Sequence, residues 1–288
     1  MTRRRLLKVA AVAGFALPVG RSQAARVFEL DNYQLLPYNL FLPKFGGGYL
    51  LNIHEQLTAG PVISRIDRRG RRESFVLALP EGSPRRIQDW AIGSDGTIVV
   101  IGSAFNASGK VVMYGARVPL NRSLQVAKVW PHVPQSVALA SDGFVWTMAA
   151  GNVLRRFDTN LELVSTKTVL TRVCAWHAQT TLAASRDRVG WMTKAGEYIE
   201  FSLDGVEAAR YPATPEVDSF ALSDRGHVVM YGTEDETGGF FYLDRDSKSW
   251  VEPEIAGNED FGLGRVVGFD GELLVTHTLE KVGWWRIE

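Results

Sequence analysis

The chain has 288 residues, of which 45% are hydrophobic and 22% charged, as in folded globular proteins rather than disordered ones. Its formal net charge is zero, but residues 1–24 hold five cations and no acid, so 27 basic and 32 acidic residues remain beyond them, a net charge of −5. An acidic domain argues against nucleic-acid binding, and a single cysteine excludes an internal disulfide or a cysteine-based metal cluster.

Residues 1–24 have the pattern of an export signal. A basic start precedes the apolar stretch Val9–Val19, and Ser22-Gln23-Ala24 is a small-x-small cleavage site. The run from Thr2 to Lys8, a polar residue, two arginines, a variable residue, two apolar residues and a lysine, resembles a twin-arginine signal, which exports folded proteins. A general secretory signal and an uncleaved membrane anchor are the alternatives. We expect a periplasmic or extracellular protein and, because no later apolar run approaches the length of a membrane span, no membrane association after processing.

A recurring phrase along the rest of the chain predicts a repeat fold. The phrase is an apolar run, a tight turn and a second run rich in β-branched and aromatic residues. Its turns fall at Gly46-Gly47, Asp95, Asp142, Asp187, Asp224 and Asp270. Two more strand-like runs follow each phrase, and a period of roughly 44 residues suits a four-stranded propeller blade. We therefore predict that residues 25–288 form an all-β, six-bladed β-propeller of four-stranded antiparallel blades.

The two ends of the chain are expected to complete one blade together. The sixth unit stops at its third strand, near Gly283 to Glu288, while Arg26 to Leu30 form a strand-like run before the first unit. An open ring would leave unpaired strand edges, which all-β folds hide. The sequence thus predicts that the N-terminal strand is the outer strand of blade six and closes the ring.

The cations from Arg65 to Arg72 are expected at a solvated hairpin tip.

These phrases, and hairpins such as Val153–Asp158 and Tyr198–Gly205, resemble bacterial six-bladed β-propellers of the NHL/TolB-like superfamily. The resemblance covers residues 26–288. It implies relatives that include gluconolactonase-type lactonases, lyases, peptidase-associated propellers and pure binding modules. A shared fold does not choose among these functions.

The mouth of the central channel is the expected ligand site, because the inner strand of every blade begins there. Residues about six positions before each turn should ring this mouth: Asn39, Asp89, Ser136, Thr180, Asp218 and the Gly264-Arg265 pair. The resemblance implies a divalent metal held there by Glu, Asn and Asp side chains in the lactonases, and oxygen ligands suit calcium. Asn39, Asp89 and Asp218 are the candidate ligand-binding and metal residues. Polar residues that merely wet the channel mouth are the alternative.

Histidines supply a second set of candidates on the same face. His54 and His277 are expected to end the second strands of blades one and six, which become neighbours when the ring closes. An imidazole beside a carboxylate can act as general base or metal ligand, so these two are the candidate catalytic residues. Half-exposed histidines without a partner are the alternative. Trp176 and His177, in a connection between blades, are candidate ligand-binding residues.

The expected function is that of an exported, monomeric binding or interaction module. Its partner would be a protein, peptide, glycan or small molecule at the channel mouth. The alternative is a metal-dependent hydrolase or lyase of the lactonase type that uses the same face. No cofactor is firmly indicated beyond the calcium that such a site would hold.

Overall fold

The computed structural model describes residues 26–35, 43–54, 61–77, 83–121, 126–170, 181–193, 197–212, 216–234, 237–257, 262–278 and 280–288. Within these ranges the chain forms 25 β-strands in six sheets and no α-helix. None of the described segments is a helix long and apolar enough to cross a membrane. The predicted signal, residues 1–24, lies outside the described residues.

The strands follow one another blade by blade, except that β1 (Val27–Leu35) belongs to blade six. Blade one contains β2 (Lys44–Gly46), β3 (Tyr49–His54), β4 (Val62–Asp67) and β5 (Arg72–Val76). Blade two contains β6 (Ser83–Ile92), β7 (Ile98–Phe105), β8 (Val111–Val118) and β9 (Val126–Trp130). Blade three contains β10 (Pro134–Leu139), β11 (Val145–Ala149), β12 (Val153–Phe157) and β13 (Leu163–Thr168).

The second half of the chain continues the pattern. Blade four contains β14 (Thr181–Ala184), β15 (Arg188–Met192), β16 (Glu197–Ser202) and β17 (Glu207–Pro212). Blade five contains β18 (Glu216–Leu222), β19 (Val228–Glu234), β20 (Thr237–Asp244) and β21 (Ser249–Val251). Blade six contains β22 (Glu254–Ala256), β23 (Arg265–Asp270), β24 (Leu273–His277), β25 (Lys281–Ile287) and β1. Since the inner strand of each blade contacts those of both neighbours, the six blades form a ring. The predicted fold class is confirmed.

The recurring turn explains why the phrase folds the same way in successive blades. In blade two the N–H of Gly96 donates to the carbonyl of Gly93 at 3.0 Å, and the Asp95 carboxylate accepts from the N–H of Thr97 at 2.9 Å. Gly96 has φ of 76°, a conformation that favours glycine. Gly143 and Gly226 take the same place in blades three and five, so these three glycines align the blades residue by residue.

The core lies in the gaps between blades, where aromatic side chains fill the space between twisted sheets. Trp146 of blade three and Trp191 of blade four share one buried cluster. Trp285 and Phe28 of blade six lie in another, together with Phe240 of blade five. Buried aromatic surface of this size contributes strongly to stability, so each blade is held mainly by its neighbours.

The predicted ring closure is confirmed. Strand β1 pairs antiparallel with β25, from Phe28 opposite Ile287 to Leu35 opposite Lys281, and is therefore the outer strand that blade six otherwise lacks. Phe28 is 0% exposed. The strand is longer than the Arg26–Leu30 run that the sequence indicated. Strand β22 adds a feature that the sequence did not predict, because it pairs parallel with the far edge of β1 and gives this blade a fifth strand.

The expected solvated hairpin tip is wrong for its first residue. Arg65 lies within β4 and is 1% exposed. Its guanidinium donates to the carbonyls of Leu120 at 2.6 Å and Pro119 at 2.9 Å, and its carbon lies 5.3 Å from the ring centre of Phe75. A buried arginine that satisfies carbonyls of the next blade acts as a link between blades one and two rather than as a surface charge.

Candidate functional site

The central channel forms a cavity of about 730 Å³, bounded by the inner strands of the blades. That volume lies within the range of small-molecule sites. Its middle is largely apolar, with residues such as Ala91, Val137, Phe220 and Val266, and its far end is formed by the hairpin turns. We call the opposite, polar end the channel mouth. It consists of Lys44, Gln88, Asp89, Gln135, Asp218, Arg265 and His277.

A β-bulge recurs at the mouth in the inner strands of three blades. The pairing between first and second strands skips Gln88 in blade two, Gln135 in blade three and Asp218 in blade five. A bulge breaks the regular alternation of side chains and re-aims the extra residue. All three extra residues line the cavity. The sequence had indicated Asp218 but not the two glutamines, which each precede a predicted ring residue by one position.

Asp89 is fully engaged in holding blades together. Its Oδ1 accepts a hydrogen bond from Lys44 Nζ at 2.6 Å, and its Oδ2 accepts from the backbone N–H of Val137 at 2.8 Å. One carboxylate thus ties the inner strands of blades one, two and three. When the blades are aligned on Gly96 and Gly226, its counterpart in blade five is Ser219, not Asp218.

Ser219 makes the corresponding link between blades five and six. Its Oγ accepts a hydrogen bond from the backbone N–H of Val266 at 2.9 Å. Asp218 immediately precedes Ser219, and Arg265 immediately precedes Val266, so the bond holds these two charged residues on adjacent strands at the mouth. Both are exposed and line the cavity. Within the described part of the chain, neither side chain forms a hydrogen bond or an ion pair.

His277 ends β24, as predicted, directly opposite Arg265 in the sheet. The side chain is buried, with the residue 8% exposed, and Nδ1 lies 2.8 Å from the carbonyl oxygen of Thr278. Because a carbonyl can only accept, Nδ1 carries the proton and the neutral ring keeps its lone pair on Nε2. Among the described residues, Nε2 is buried without a partner. Burial lowers the pKa of His277, and the Arg265 charge lowers it further against the opposing effect of the Thr278 bond.

The other candidate residues lie partly or wholly outside the described part of the chain. His54 ends β3, as predicted, in the blade next to His277, and its side chain lies outside the described residues. Asn39, Trp176 and His177 also lie outside the described residues. In the described ranges, no group of three or more His, Cys, Asp or Glu side chains converges as a metal site. Calcium binding by Asn39, Asp89 and Asp218 stays a prediction. To bind the ion, Asp89 would have to give up its contacts with Lys44 and Val137 of the neighbouring blades.

A stack of aromatic rings that the sequence did not indicate lies between blades two and three. The ring centres of Trp130 and Phe157 are 4.3 Å apart, and that of His132 lies 5.2 Å from Trp130. Burial, with a smaller contribution from the charge of Arg155, lowers the pKa of His132 to about 4. This imidazole is therefore neutral at physiological pH.

No protein-family model matches the chain, and no curated protein matches it in sequence. Solved structures do resemble its fold. One is the β-propeller domain of Cps50 (Swd1) from Myceliophteria thermophila, with 10% identity, 91% of this chain and 100% of that chain covered, and a TM-score of 0.55. Another is a protein of unknown function from Bacteroides caccae, with 13% identity, 85% and 94% of the two chains covered, and a TM-score of 0.55. At these identities the likeness shows the fold alone.

Proposed function

We propose that the protein is a binding propeller that receives its ligand in the central channel, through the channel mouth, and performs no reaction on it. The observation that carries this proposal is the open set of groups at the mouth. Asp218 and Arg265 have no partner among the described residues, and they lie on one wall of a cavity of about 730 Å³ that is lined by both polar and apolar residues. A concave apolar site with a few convergent polar groups is the usual form of a small-ligand site.

Export and membership of the NHL/TolB-like superfamily belong to the same proposal. The pattern of residues 1–24 supports twin-arginine export to the periplasm or beyond. Strand β1 begins at Val27, shortly after the predicted cleavage site, and both of its edges are paired. The mature domain is proposed to act as a monomer.

A metal-dependent hydrolase of the lactonase type is the second candidate function. The observation that favours it is the neutral imidazole of His277, a cavity-lining residue beside Arg265 that would serve as a general base once its buried Nε2 is uncovered. Both carboxylate oxygens of Asp89 already accept hydrogen bonds, which counts against a metal bound by Asn39, Asp89 and Asp218.

Ligand screening of residues 25–288 tests the binding function. We expect a compound from a panel of sugars, amino acids, short peptides and lactones to raise the melting temperature in a concentration-dependent way. Gln88→Trp should obstruct the mouth and weaken that binding at least tenfold. Val206→Trp, on an exposed turn of blade four, is the matched control and should leave it unchanged.

Two results would contradict the proposal. Equal binding by both tryptophan variants would place the ligand away from the mouth. Turnover of a lactone that is lost with a chelator and restored by calcium would instead establish the hydrolase.

A further inference from the structure

Among the described residues, six charged side chains line the cavity, and four of them bind partners within the protein. They are Lys44, Asp89, Asp218, Asp224, Arg265 and Asp270. Lys44 and Asp89 bind each other, and Asp224 accepts from the backbone N–H of Arg186 at 2.7 Å. Asp270 binds Arg68 and accepts from Trp284 Nε1 at 3.2 Å. In the described part of the chain, Asp218 and Arg265 are the two that stay without a partner.

These two opposite charges lie side by side without neutralising each other. The 2.9 Å bond from the Val266 N–H to Ser219 Oγ holds their neighbours in the chain together, and their strands are in contact. Nevertheless the described residues contain no ion pair between Asp218 and Arg265. An exposed carboxylate and an exposed guanidinium on adjacent strands are complementary to a ligand that carries both charges close together.

The surroundings restrict the ligand further. His277, opposite Arg265, belongs to the same wall, but its Nε2 is buried from solvent and out of reach of a ligand in the channel. Phe220 and Leu222 follow Asp218 along β18, and Val267 follows Arg265 along β23. All three line the cavity. A ligand held at its charged end by the mouth would therefore place an apolar group in the channel.

We propose that Asp218 and Arg265 bind the zwitterionic head of a small α-amino acid whose apolar side chain enters the channel. The ammonium donates to the Asp218 carboxylate, and the carboxylate accepts from the Arg265 guanidinium. This inference rests on the proposed binding function and names its ligand class.

Isothermal titration with one amino acid and two analogues tests this assignment. L-Leucine carries both charges, N-acetyl-L-leucine lacks the ammonium, and L-leucinamide lacks the carboxylate. Each charge-assisted contact is worth about 10- to 100-fold in affinity, so both analogues should bind that much more weakly than leucine.

Two variants test which residue binds each charge of the ligand. Asp218→Asn should weaken leucine binding about tenfold or more and leave binding of N-acetyl-L-leucine unchanged, whereas Arg265→Gln should spare L-leucinamide instead. The matched control is the exposed ion pair of Arg225 with Glu272, which joins the same two blades at the opposite end of the channel. Arg225→Gln and Glu272→Gln should leave all three affinities unchanged.

The outcomes separate this inference from the proposed function. Equal affinity for leucine and its analogues, or equal losses for every ligand in each variant, would overturn the zwitterion site. If no α-amino acid binds at millimolar concentration but another compound binds in a way that Gln88→Trp abolishes, the inference fails and the binding function stands. If no compound binds at the mouth, both fail.

Discussion

The Asp89 carboxylate accepts a hydrogen bond from Lys44 Nζ at 2.6 Å, and this ion pair joins the inner strands of blades one and two. The second oxygen of the same carboxylate accepts from blade three. A residue that the sequence indicates as a ligand for calcium is thus placed where it stabilises the ring.

We expect Asp89→Ala to lower the free energy of unfolding by about 1–3 kcal/mol, because the Val137 N–H loses its acceptor in a partly buried site. Asp89→Asn keeps one acceptor oxygen and should cost less. Chemical denaturation measures both, with Asp204→Ala on an exposed turn as control. Unchanged stability of Asp89→Ala, combined with loss of bound calcium, would assign the residue to a metal site instead.

Ring closure depends on Phe28. Its ring is fully buried, 6.0 Å from Phe240 and 6.3 Å from Tyr242 between ring centres. Phe28→Ala should cost about 3–5 kcal/mol, since it leaves a cavity between blades five and six. Glu29→Ala changes the next, exposed residue of the same strand and should stay within about 0.5 kcal/mol of the parent. Deletion of residues 26–31 should destabilise further, and an unaltered melting temperature after it would refute closure by β1.

A partly buried ion pair between blades four and five should be the most sensitive charged site. Glu200 accepts from Arg245 at 2.5 and 2.9 Å and from the Tyr198 hydroxyl at 2.9 Å, with its side chain only 4% exposed. Glu200→Gln leaves the partly exposed Arg245 without its counter-charge and should cost about 1–3 kcal/mol. Asp187→Asn removes the exposed partner of Arg188 and should cost less than about 1 kcal/mol. Similar unfolding midpoints for the two variants would contradict this ranking.

Stability should decline as the pH falls from about 6.5 towards 4. Burial lowers the pKa of His132 to about 4 and also lowers the pKa values of His227 and His277. In this window the unfolded chain binds protons that the folded protein excludes, so protonation favours unfolding. Denaturation curves at several pH values measure the slope, and His132→Gln should reduce it. An NMR titration that places the pKa of His132 at 6.5 or above would contradict the expected direction.

The sequence predicts the scaffold well because its signals are local. The turn around Gly96 needs a glycine with positive φ and an Asp that caps the following N–H, and both requirements are met within a few residues. Because the turn recurs at a nearly constant period, it indicates the number of blades. The strand missing after Lys281–Ile287 likewise indicates where Val27–Leu35 must pair.

The geometry of the site depends on β-bulges and on contacts between residues of different blades, which a local sequence pattern does not reveal. A bulge is a single extra residue, and it reverses which side chain faces the channel without altering the apolar pattern around Gln88, Gln135 or Asp218. The partners of Asp89 are 45 and 48 residues away, so its role as a link between blades is invisible in the repeat. The burial of Arg65 and the pairing of the added strand β22 likewise depend on contacts between segments that are far apart in the sequence.

Period, blade number and ring closure therefore follow from the sequence, since strand and turn preferences act over a few residues. Contacts between blades decide which mouth residues are neutralised and which stay open. Asp89 and Asp218 look alike in the sequence, yet Asp89 binds Lys44 and Val137, whereas Asp218 lies beside Arg265 without pairing. That difference arises from packing strands that are distant in the chain, and it leaves Asp218 and Arg265 open to a ligand.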